Sequence, residues 1–376
     1  MTTVHLVYPH SPRISCPAAI GRNLGRRLEQ HYRVAYHDWD DCRVIRPAPG
    51  DILLGHPHPA PWTCFRRSLS QPGWRRVIAM SPYHHGDHVQ VAFLDSLIER
   101  CDLYLAITGN YWFSTVEASP FGHWRSKMVH LDLAVDRQDF PVIKTTFNAP
   151  GCRRFVYIGH SGWTKNTGYL SEIARAMPET QIGWIGRCSQ PISDLIHLGF
   201  QDFSTEPGRR TVSSYDFMLA VGKADANPAT ILEAMAWGLI PICTPESGYS
   251  GYLGIVNIPL GDAREAVAIL RQLQNLPDAA LREVQATNWQ ALDTHFNWNR
   301  FAQQVVAAIE SDACPDIGPV SPLRRLHIRW AATVSPYSPW RPLNLARYLA
   351  HSLHRRGIHP GRAALTGPGG DRPLCL

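Results

Sequence analysis

Short apolar runs alternate with helix-length segments along most of this chain, and the alternation occurs twice. Helical patterns lie at 18–30 and 89–100 in the first series, and at 166–177 and 229–237 in the second. Such alternation is typical of an α/β fold, in which a parallel sheet carries helices on both faces. The predicted strands are 4–8, 33–37, 51–54, 76–80, 103–107, 127–131, 155–158, 181–185, 217–221 and 239–243.

Residues 134–154 separate the two series and contain two prolines and a Pro-Gly turn, which indicates a linker between domains. We therefore predict one Rossmann-like domain over 1–140 and a second over 141–297. The remaining residues, 315–376, form a tail rich in Pro and Arg. The helices predicted near the end of the second series are 262–276, 279–295 and 300–310.

The cysteines argue for a reducing compartment. Nine of them are scattered along the chain without a C-x-x-C pair, so neither a disulfide framework nor a structural zinc site is expected. No apolar run approaches the length of a membrane-spanning helix, and the apolar stretch near the N-terminus is shorter than a signal peptide requires. These features predict a cytoplasmic protein.

The positive charge is concentrated in the tail. Residues 315–376 hold nine Arg and two Asp, a charge of +7, which leaves −1 of the net charge of +6 for the preceding residues. A nearly neutral body argues against a nucleic-acid partner. The segment 341–356 contains an amphipathic pattern with Arg beside an apolar stripe, and two interpretations stay open: a helix packed on the body, or peripheral contact with the inner face of a membrane.

Several common nucleotide-binding and hydrolytic motifs are missing. The turn after the first predicted strand contains Gly21 and Gly25 but no G-x-G-x-x-G, which disfavours a dehydrogenase. Neither a P-loop nor a G-x-S-x-G elbow occurs in the sequence.

The most informative segment is 216–251. Its strand ends near Val221, and a helix begins after Pro228, so the N–H groups of Ala229 and Thr230 lack partners within the helix and suit a diphosphate. Asp225 precedes this helix and Glu233 lies one turn inside it. A carboxylate accepts two hydroxyl donors, as a ribose or a hexose offers. The alternative is an ordinary loop residue and a solvated helix residue.

This segment resembles the donor site of family 4 retaining glycosyltransferases, in which an acidic residue is followed after seven others by Glu-Ala-x-Ala. Here that stretch reads EAMAWGLIP from Glu233. The resemblance implies that Glu233 holds the donor ribose and that the first acidic position contacts the transferred sugar. That position is normally Glu and is Asp225 here, with Asn227 in the loop where a bulky residue and glycine are usual. It also implies a GT-B-type α/β fold with two doubly wound Rossmann-like domains facing across a cleft, plus a basic C-terminal extension.

Other donor-site positions follow from the same resemblance. FVYIGHSGWTKN, residues 155–166, is similar to the strand and loop whose Arg and Lys neutralise the diphosphate; Lys165 matches the Lys, and His160 stands at the Arg position. Arg187 follows the next family strand, near the base, and Gly199 lies in the turn that meets the base. Residues 298–314 resemble the helix that crosses back to the N-terminal domain.

The N-terminal domain is implied to bind the acceptor. Gly21, in the loop CPAAIG, matches a glycine that approaches the donor phosphates, although a helix-start glycine is an equal interpretation. His84 or His85 matches a histidine that faces the donor sugar, although histidines in polar loops are commonly without such a role. The run HDWDD at 37–41 is similar to a metal-binding motif of another glycosyltransferase class, but surface carboxylates are favoured and no metal is expected.

The resemblance, with the residues that carry it, implies transfer of a sugar from a UDP-, GDP- or dTDP-sugar to a hydroxyl, with retention of the anomeric configuration and without a metal or other cofactor. Saccharide or lipid-linked acceptors of bacterial polysaccharide, glycolipid or glycoconjugate synthesis are the expected partners. The predicted catalytic residues are Asp225, Glu233, Lys165, His84 and His85. Two alternatives stay open: a nucleotide-sugar epimerase or hydrolase of the same fold, and a non-catalytic nucleotide-binding subunit.

Overall fold

The computed structural model describes residues 2–9, 16–60, 62–187, 191–336, 338, 341–342 and 344. The chain divides into two compact units. The first consists of Met1–Ile107, Thr115–Leu131 and Ala302–Leu376, and the second of Thr108–Ser114 and Asp132–Phe301.

The division differs from the predicted boundary after residue 140, because residues 132–140 pack in the second unit. The N–H of Val135 donates to the carbonyl of Phe296 at 3.0 Å, and the Asp132 carboxylate lies 2.7 Å from Nε2 of His295.

The first unit contains a six-stranded, all-parallel sheet. Its central strands are buried at nearly every position, as expected for a parallel sheet covered on both faces. The strands are β1 (Thr3–Val7), β2 (Arg33–His37), β3 (Asp51–Gly55), β4 (Trp74–Pro82), β5 (Leu103–Ile107) and β6 (Met128–Leu131), in the order β2-β1-β3-β4-β5-β6.

Helices of unequal length accompany this sheet. The continuous helix predicted at 89–100 is instead two short helices separated by a 3₁₀ turn, Ala92–Leu94, and the first of them is capped by the Asp87 carboxylate, which accepts from the N–H of Val89 at 3.1 Å. The helices are α1 (Cys16–Leu28), α2 (Cys64–Ser68), α3 (His88–Val91) and α4 (Asp95–Ile98). Helix α5 (Asn110–Thr115) follows β5 in the chain, but all of it except Thr115 belongs to the second unit.

The second unit repeats the architecture. Its first and last strands in the sheet order have two residues each and were not predicted, because a two-residue strand carries no readable period. The strands are β7 (Phe155–Ile158), β8 (Ile182–Ile185), β9 (Ile196–His197), β10 (Phe217–Ala220), β11 (Ile240–Cys243) and β12 (Val256–Asn257), parallel in the order β12-β11-β10-β7-β8-β9.

Among the described residues, six further helices lie wholly in or begin in the second unit, and one more follows in the first. They are α6 (Thr167–Ala176), α7 (Glu206–Ser213), α8 (Ala229–Trp237), α9 (Ala263–Gln274), α10 (Asp278–Thr294), α11 (Trp298–Glu310) and α12 (Pro322–Val334); α7 and α12 were not predicted. The segment 342–356, predicted as amphipathic, lies almost entirely outside the described residues. Within the described part of the chain, no helix has the length and apolar character to cross a membrane.

A buried ion pair stabilises the second sheet at the amino-terminal ends of β7 and β10. Nζ of Lys144 lies 2.8 Å from the carboxylate of Asp216, and both side chains are almost fully buried. Asp216 also accepts from the backbone N–H groups of Asn148 and Arg154, each at 2.8 Å. This carboxylate therefore joins the chain before β7 to the first residues of β10.

The order of strands places a ligand crevice in the second sheet. From β7 the chain adds β8 and β9 on one side, and then returns to add β10, β11 and β12 on the other. Ligands of open parallel sheets bind outside the carboxyl ends of the strands at such a reversal. In this unit the reversal lies between β7 and β10.

Candidate functional site

A pocket lies at the carboxyl ends of β7 and β10, where the strand order reverses. Its walls include Tyr157, Lys165, Gly222, Asp225, Thr230 and Ser247. Three residues predicted from the sequence are therefore brought together by two segments: Lys165 from the loop after β7, and Asp225 and Thr230 from the connection between β10 and α8. The loops themselves are joined, since the N–H of Lys223 donates to the carbonyl of Thr164 at 2.9 Å.

Lys165 and Asp225 form an ion pair in this pocket. The side chains are 21% and 12% exposed, so both retain a path to a ligand. Lys165 ends a 3₁₀ turn, and the next residue, Asn166, adopts the left-handed conformation from which α6 begins. Asparagine is one of the few residues that accept this conformation readily.

The backbone around Asp225 is held on both sides. Its N–H donates to the carbonyl of Glu246 at 3.1 Å, and its carbonyl accepts from Nε1 of Trp112 at 2.7 Å. The next carbonyl, of Ala226, accepts from the N–H of Gly109 at 2.9 Å. The carboxylate is thus presented by a fixed loop.

Helix α8 begins beside this loop without a side-chain cap. Pro228 is extended, with φ −65° and ψ 123°, and supplies no side-chain acceptor to the first turn. The N–H groups of Ala229 and Thr230 therefore stay available at the end of the helix that carries partial positive charge, and Thr230 lines the pocket. The pocket has a volume of about 10 Å³, so a phosphate would bind at this helix start only once the lining side chains move apart.

Glu233 lies one turn into α8 and is partly buried. Burial raises the pKa of its carboxyl to about 7. Within the described residues, no hydrogen-bond donor or cation reaches it. The group is therefore close to the balance between its protonated and ionised forms at neutral pH, and its oxygens are open to hydroxyl donors.

Asn227 and Glu246 add buried polar atoms near the loop of Asp225. Oδ1 of Asn227 accepts from the hydroxyl of Tyr249, while its Nδ2 is buried without a partner in the described structure. Oε1 of Glu246 accepts from the hydroxyl of Tyr111 at 3.1 Å, and its buried Oε2 has no partner among the described residues. Glu246 was missed from the sequence; its position three residues after the end of β11 was the available signal.

The surroundings of His160 favour the neutral form of its side chain. Burial lowers the pKa of its imidazole, and the nearby Lys165 lowers it further. Its backbone carbonyl accepts from the hydroxyl of Tyr157 at 2.7 Å, which shapes the loop after β7. At neutral pH this side chain can donate or accept a hydrogen bond, but it does not supply the fixed charge of an arginine.

Arg187 and Gly199 lie with β8 and β9, not in the lining of the Lys165 pocket. The Arg187 guanidinium stands 5.0 Å from the centre of the Phe200 ring. Gly199 has φ +72°, a conformation that favours glycine, and its carbonyl accepts from the N–H of Gly186 at 3.1 Å. Phe200 is 61% exposed. Arg187, Gly199 and Phe200 therefore form a surface that is separate from the Lys165 pocket.

In the first unit, Gly21 is not in a loop as expected. Residues 16–21 form the start of α1. Position 21 requires glycine, because a Cβ there would come within 2.6 Å of Cβ of Tyr8. His84 is buried directly after β4. His85 lies 3.2 Å from Oγ1 of Thr115, and burial, helped by neighbouring histidines, lowers its pKa to about 4.

A pocket of about 540 Å³ in the first unit was also missed. Its lining includes the rings of Tyr8 and Tyr36 and the exposed Arg22 and Arg26, which lie one turn apart on α1. The sequence signal for this pocket was the repeated Gly-Arg pair at 21–22 and 25–26. The two glycines leave room for tyrosine side chains, Gly21 for Tyr8 and Gly25 for Tyr36.

The acidic run at 37–41 forms local contacts. Asp41 pairs with Arg43 at 2.7 Å, and the Asp38 carboxylate accepts from the N–H of Asp40 at 3.0 Å. Across the described ranges, no group of three or more His, Cys, Asp or Glu residues could hold a metal ion.

The comparisons with known proteins agree on the fold. No family model and no curated protein matches the chain. It is similar to a sucrose-phosphate synthase from Thermosynechococcus elongatus, with a TM-score of 0.59 and 14% identity over 82% of this chain and 98% of that one. It is also similar to HepE from Anabaena in complex with UDP, with a TM-score of 0.55 and 12% identity over 82% and 99% of the two chains. WaaG, a glycosyltransferase involved in lipopolysaccharide biosynthesis, matches with a TM-score of 0.52 and 13% identity over 82% and 100%.

These similarities confirm the predicted fold class. The chain has the α/β fold of the GT-B glycosyltransferases, with two parallel six-stranded sheets and flanking helices. At identities of 12–14%, the similarity is one of fold.

Proposed function

We propose that this chain is a retaining glycosyltransferase that moves a sugar from a nucleotide diphosphate sugar to a hydroxyl, without a metal ion. One observation carries the proposal: Lys165, Asp225 and the uncapped start of α8 line a single pocket at the strand reversal of the second sheet. The cation and the free N–H groups suit the phosphates of a sugar diphosphate, and the carboxylate suits a hydroxyl of its sugar. The solved structure of HepE with UDP has the same fold.

The main chemical task is the charge that develops on the leaving diphosphate. Lys165 and the N–H groups of Ala229 and Thr230 are fixed donors that would stabilise this charge and replace a metal. His160, neutral at pH 7, would add a hydrogen bond. We assign Glu233 to the ribose hydroxyls and Asp225 to a hydroxyl of the transferred sugar, because Asp225 lies in the loop before the start of α8 and Glu233 lies one turn inside the helix.

The acceptor is assigned to the pocket of the first unit. The exposed ring of Tyr36 suits the apolar face of a sugar, and the exposed Arg22 and Arg26 suit hydroxyl or anionic groups. Glu29 lines the same pocket and accepts from the Tyr36 hydroxyl at 2.9 Å, so it offsets part of the positive charge of the two arginines. A saccharide or lipid-linked acceptor of bacterial polysaccharide, glycolipid or glycoconjugate synthesis, used on the cytoplasmic side, fits this role.

The experiment compares two lysines of the same loops by calorimetric titration. Lys165→Ala should weaken binding of a nucleoside diphosphate at least tenfold and leave binding of the matching nucleoside unchanged, since only the diphosphate meets its ammonium group. The control is Lys223→Ala, whose ammonium lies 4.1 Å from the Trp163 ring centre and faces that ring. Equal losses for diphosphate and nucleoside would contradict the phosphate role.

The Lys165–Asp225 ion pair favours one alternative, a nucleotide-binding subunit without turnover, because each group already satisfies the other. Product analysis separates the possibilities. The proposal expects a glycoside with the anomeric configuration of the donor. Free or epimerised sugar formed without acceptor would indicate a hydrolase or epimerase, and nucleotide binding without any product would indicate the subunit.

A further inference from the structure

Helix α12 carries an apolar stripe on the side opposite to its packed side. Ile328 and Ala331 are buried and hold the helix on the first unit, where α12 packs against α3. Leu323, Leu326 and Trp330 are 80%, 66% and 58% exposed. Their spacing of three and four residues places them on one face of the helix. Three large apolar side chains are therefore presented together to the surroundings.

The helix itself is well anchored. Its first turn is capped by Ser321, whose Oγ accepts from the N–H of Arg324 at 3.3 Å, and Pro322 occupies a position that suits proline. The segment that leads into it is tied down, since the N–H of Gly318 donates to the carbonyl of His123 at 2.8 Å. The stripe thus belongs to a formed helix with a fixed inner face.

The charge on α12 is of one sign. The helix contains three arginines and no acidic residue, and Arg325 and Arg329, one turn apart, are exposed at the margin of the stripe. The chain from 315 onward carries a charge of +7, against −1 for the residues before it. A surface that combines Leu, Trp and Arg in this way complements a bilayer, where apolar side chains enter the boundary of the headgroups and arginines meet lipid phosphates.

We propose that α12 docks this chain onto the surface of an anionic lipid bilayer. Leu323, Leu326 and Trp330 enter the boundary between headgroups and acyl chains, and Arg325 and Arg329 pair with phosphates. The apolar contact rests on α12 alone, whereas six of the nine arginines behind the charge of +7 lie at 341 and beyond. The proposal also goes beyond the transfer reaction, because it concerns where the enzyme works and not what it transfers.

The test is sedimentation of the full chain with vesicles of phosphatidylcholine alone or with 30% phosphatidylglycerol. Wild-type protein should bind the anionic vesicles at low salt and bind the neutral ones at least tenfold more weakly. Leu326→Ser with Trp330→Ser should weaken binding to anionic vesicles at least tenfold. Arg325→Gln with Arg329→Gln should weaken it by about fivefold per charge removed, and 0.5 M salt should remove that difference.

The matched control is Leu253→Ser, because Leu253 is 81% exposed in the second unit and lies outside the stripe. It should bind vesicles as the wild type does. Equal binding by the wild type and the Leu326→Ser, Trp330→Ser variant would overturn the proposal. A wild-type dimer in size-exclusion chromatography that this variant abolishes, without vesicle binding, would assign the stripe to a second copy and would also overturn it. Since the readout needs no substrate, failure here is distinct from failure of the transferase proposal.

Discussion

Replacing Glu233 by Gln should change how stability depends on pH. The carboxyl has an ordinary pKa of 4.5, and burial raises it to about 7 in the folded chain. Between these values the folded state keeps a proton that the unfolded state has released. The free energy of unfolding therefore falls as the pH rises from about 4.5 through 7. Above pH 7 the full cost of burying the charge is present.

The size of the effect follows from the two pKa values. One pKa unit corresponds to about 1.4 kcal/mol, so the ionised carboxylate lowers the free energy of unfolding by about 3 kcal/mol at pH 8, of which about 2–3 kcal/mol develops between pH 5 and pH 8. A glutamine has nearly the same shape and no titration. Any constant cost of the buried amide is independent of pH, so the change between pH 5 and pH 8 isolates the carboxyl.

The assay is thermal or urea unfolding of the ligand-free protein at intervals from pH 5 to pH 8. The midpoint of Glu233→Gln should rise relative to the wild type by several degrees across this range, at 2–4 °C for each kcal/mol. Glu172→Gln, at an exposed position of α6 in the same unit, is the control and should follow the wild type. Parallel curves for the wild type and Glu233→Gln would refute the buried-carboxyl reasoning.

Two further predictions concern the second unit. Lys144→Met leaves the buried Asp216 carboxylate without its cation and should lower the free energy of unfolding by about 3–5 kcal/mol in urea denaturation; a loss below about 1 kcal/mol would show that the N–H groups alone satisfy it. Gly109→Ala places a Cβ against the carbonyl of Gly248 and should cost about 1–3 kcal/mol by the same assay, whereas Gly168→Ala, where nothing lies within 4 Å, should not destabilise.

The central strands could be predicted because their burial on both faces leaves continuous apolar runs. β7 and β10 were predicted within one residue, and α8 at its observed bounds, since Pro228 and Gly238 mark its ends. Helix α12 was missed because its arginines and exposed leucines show no core-facing stripe. Its Ser-Pro start was the readable signal.

The sequence singled out Lys165, Asp225 and Thr230, which line one pocket of the second unit, but it did not predict the electrostatics of that pocket. The resemblance selected Lys165 and Asp225 separately. Their ion pair depends on how two loops of different strands meet, which the sequence does not encode locally. Likewise, Glu233 is read in sequence as a helix-surface carboxyl. Its raised pKa follows from packing around α8, a helix that is apolar on nearly all sides.

The most direct test of the proposed donor site is a thermal-shift panel of UDP, GDP, dTDP, ADP and CMP, each with EDTA and with Mg²⁺. A ligand at 100 times its dissociation constant adds about 2.7 kcal/mol of stability, which is a shift of several degrees. We expect one nucleoside diphosphate to raise the midpoint equally with and without metal, and Glu233→Ala to abolish the shift. No shift with any of the five at millimolar concentration, or one that requires Mg²⁺, would contradict a metal-independent nucleotide-sugar site at Lys165, Asp225 and Glu233.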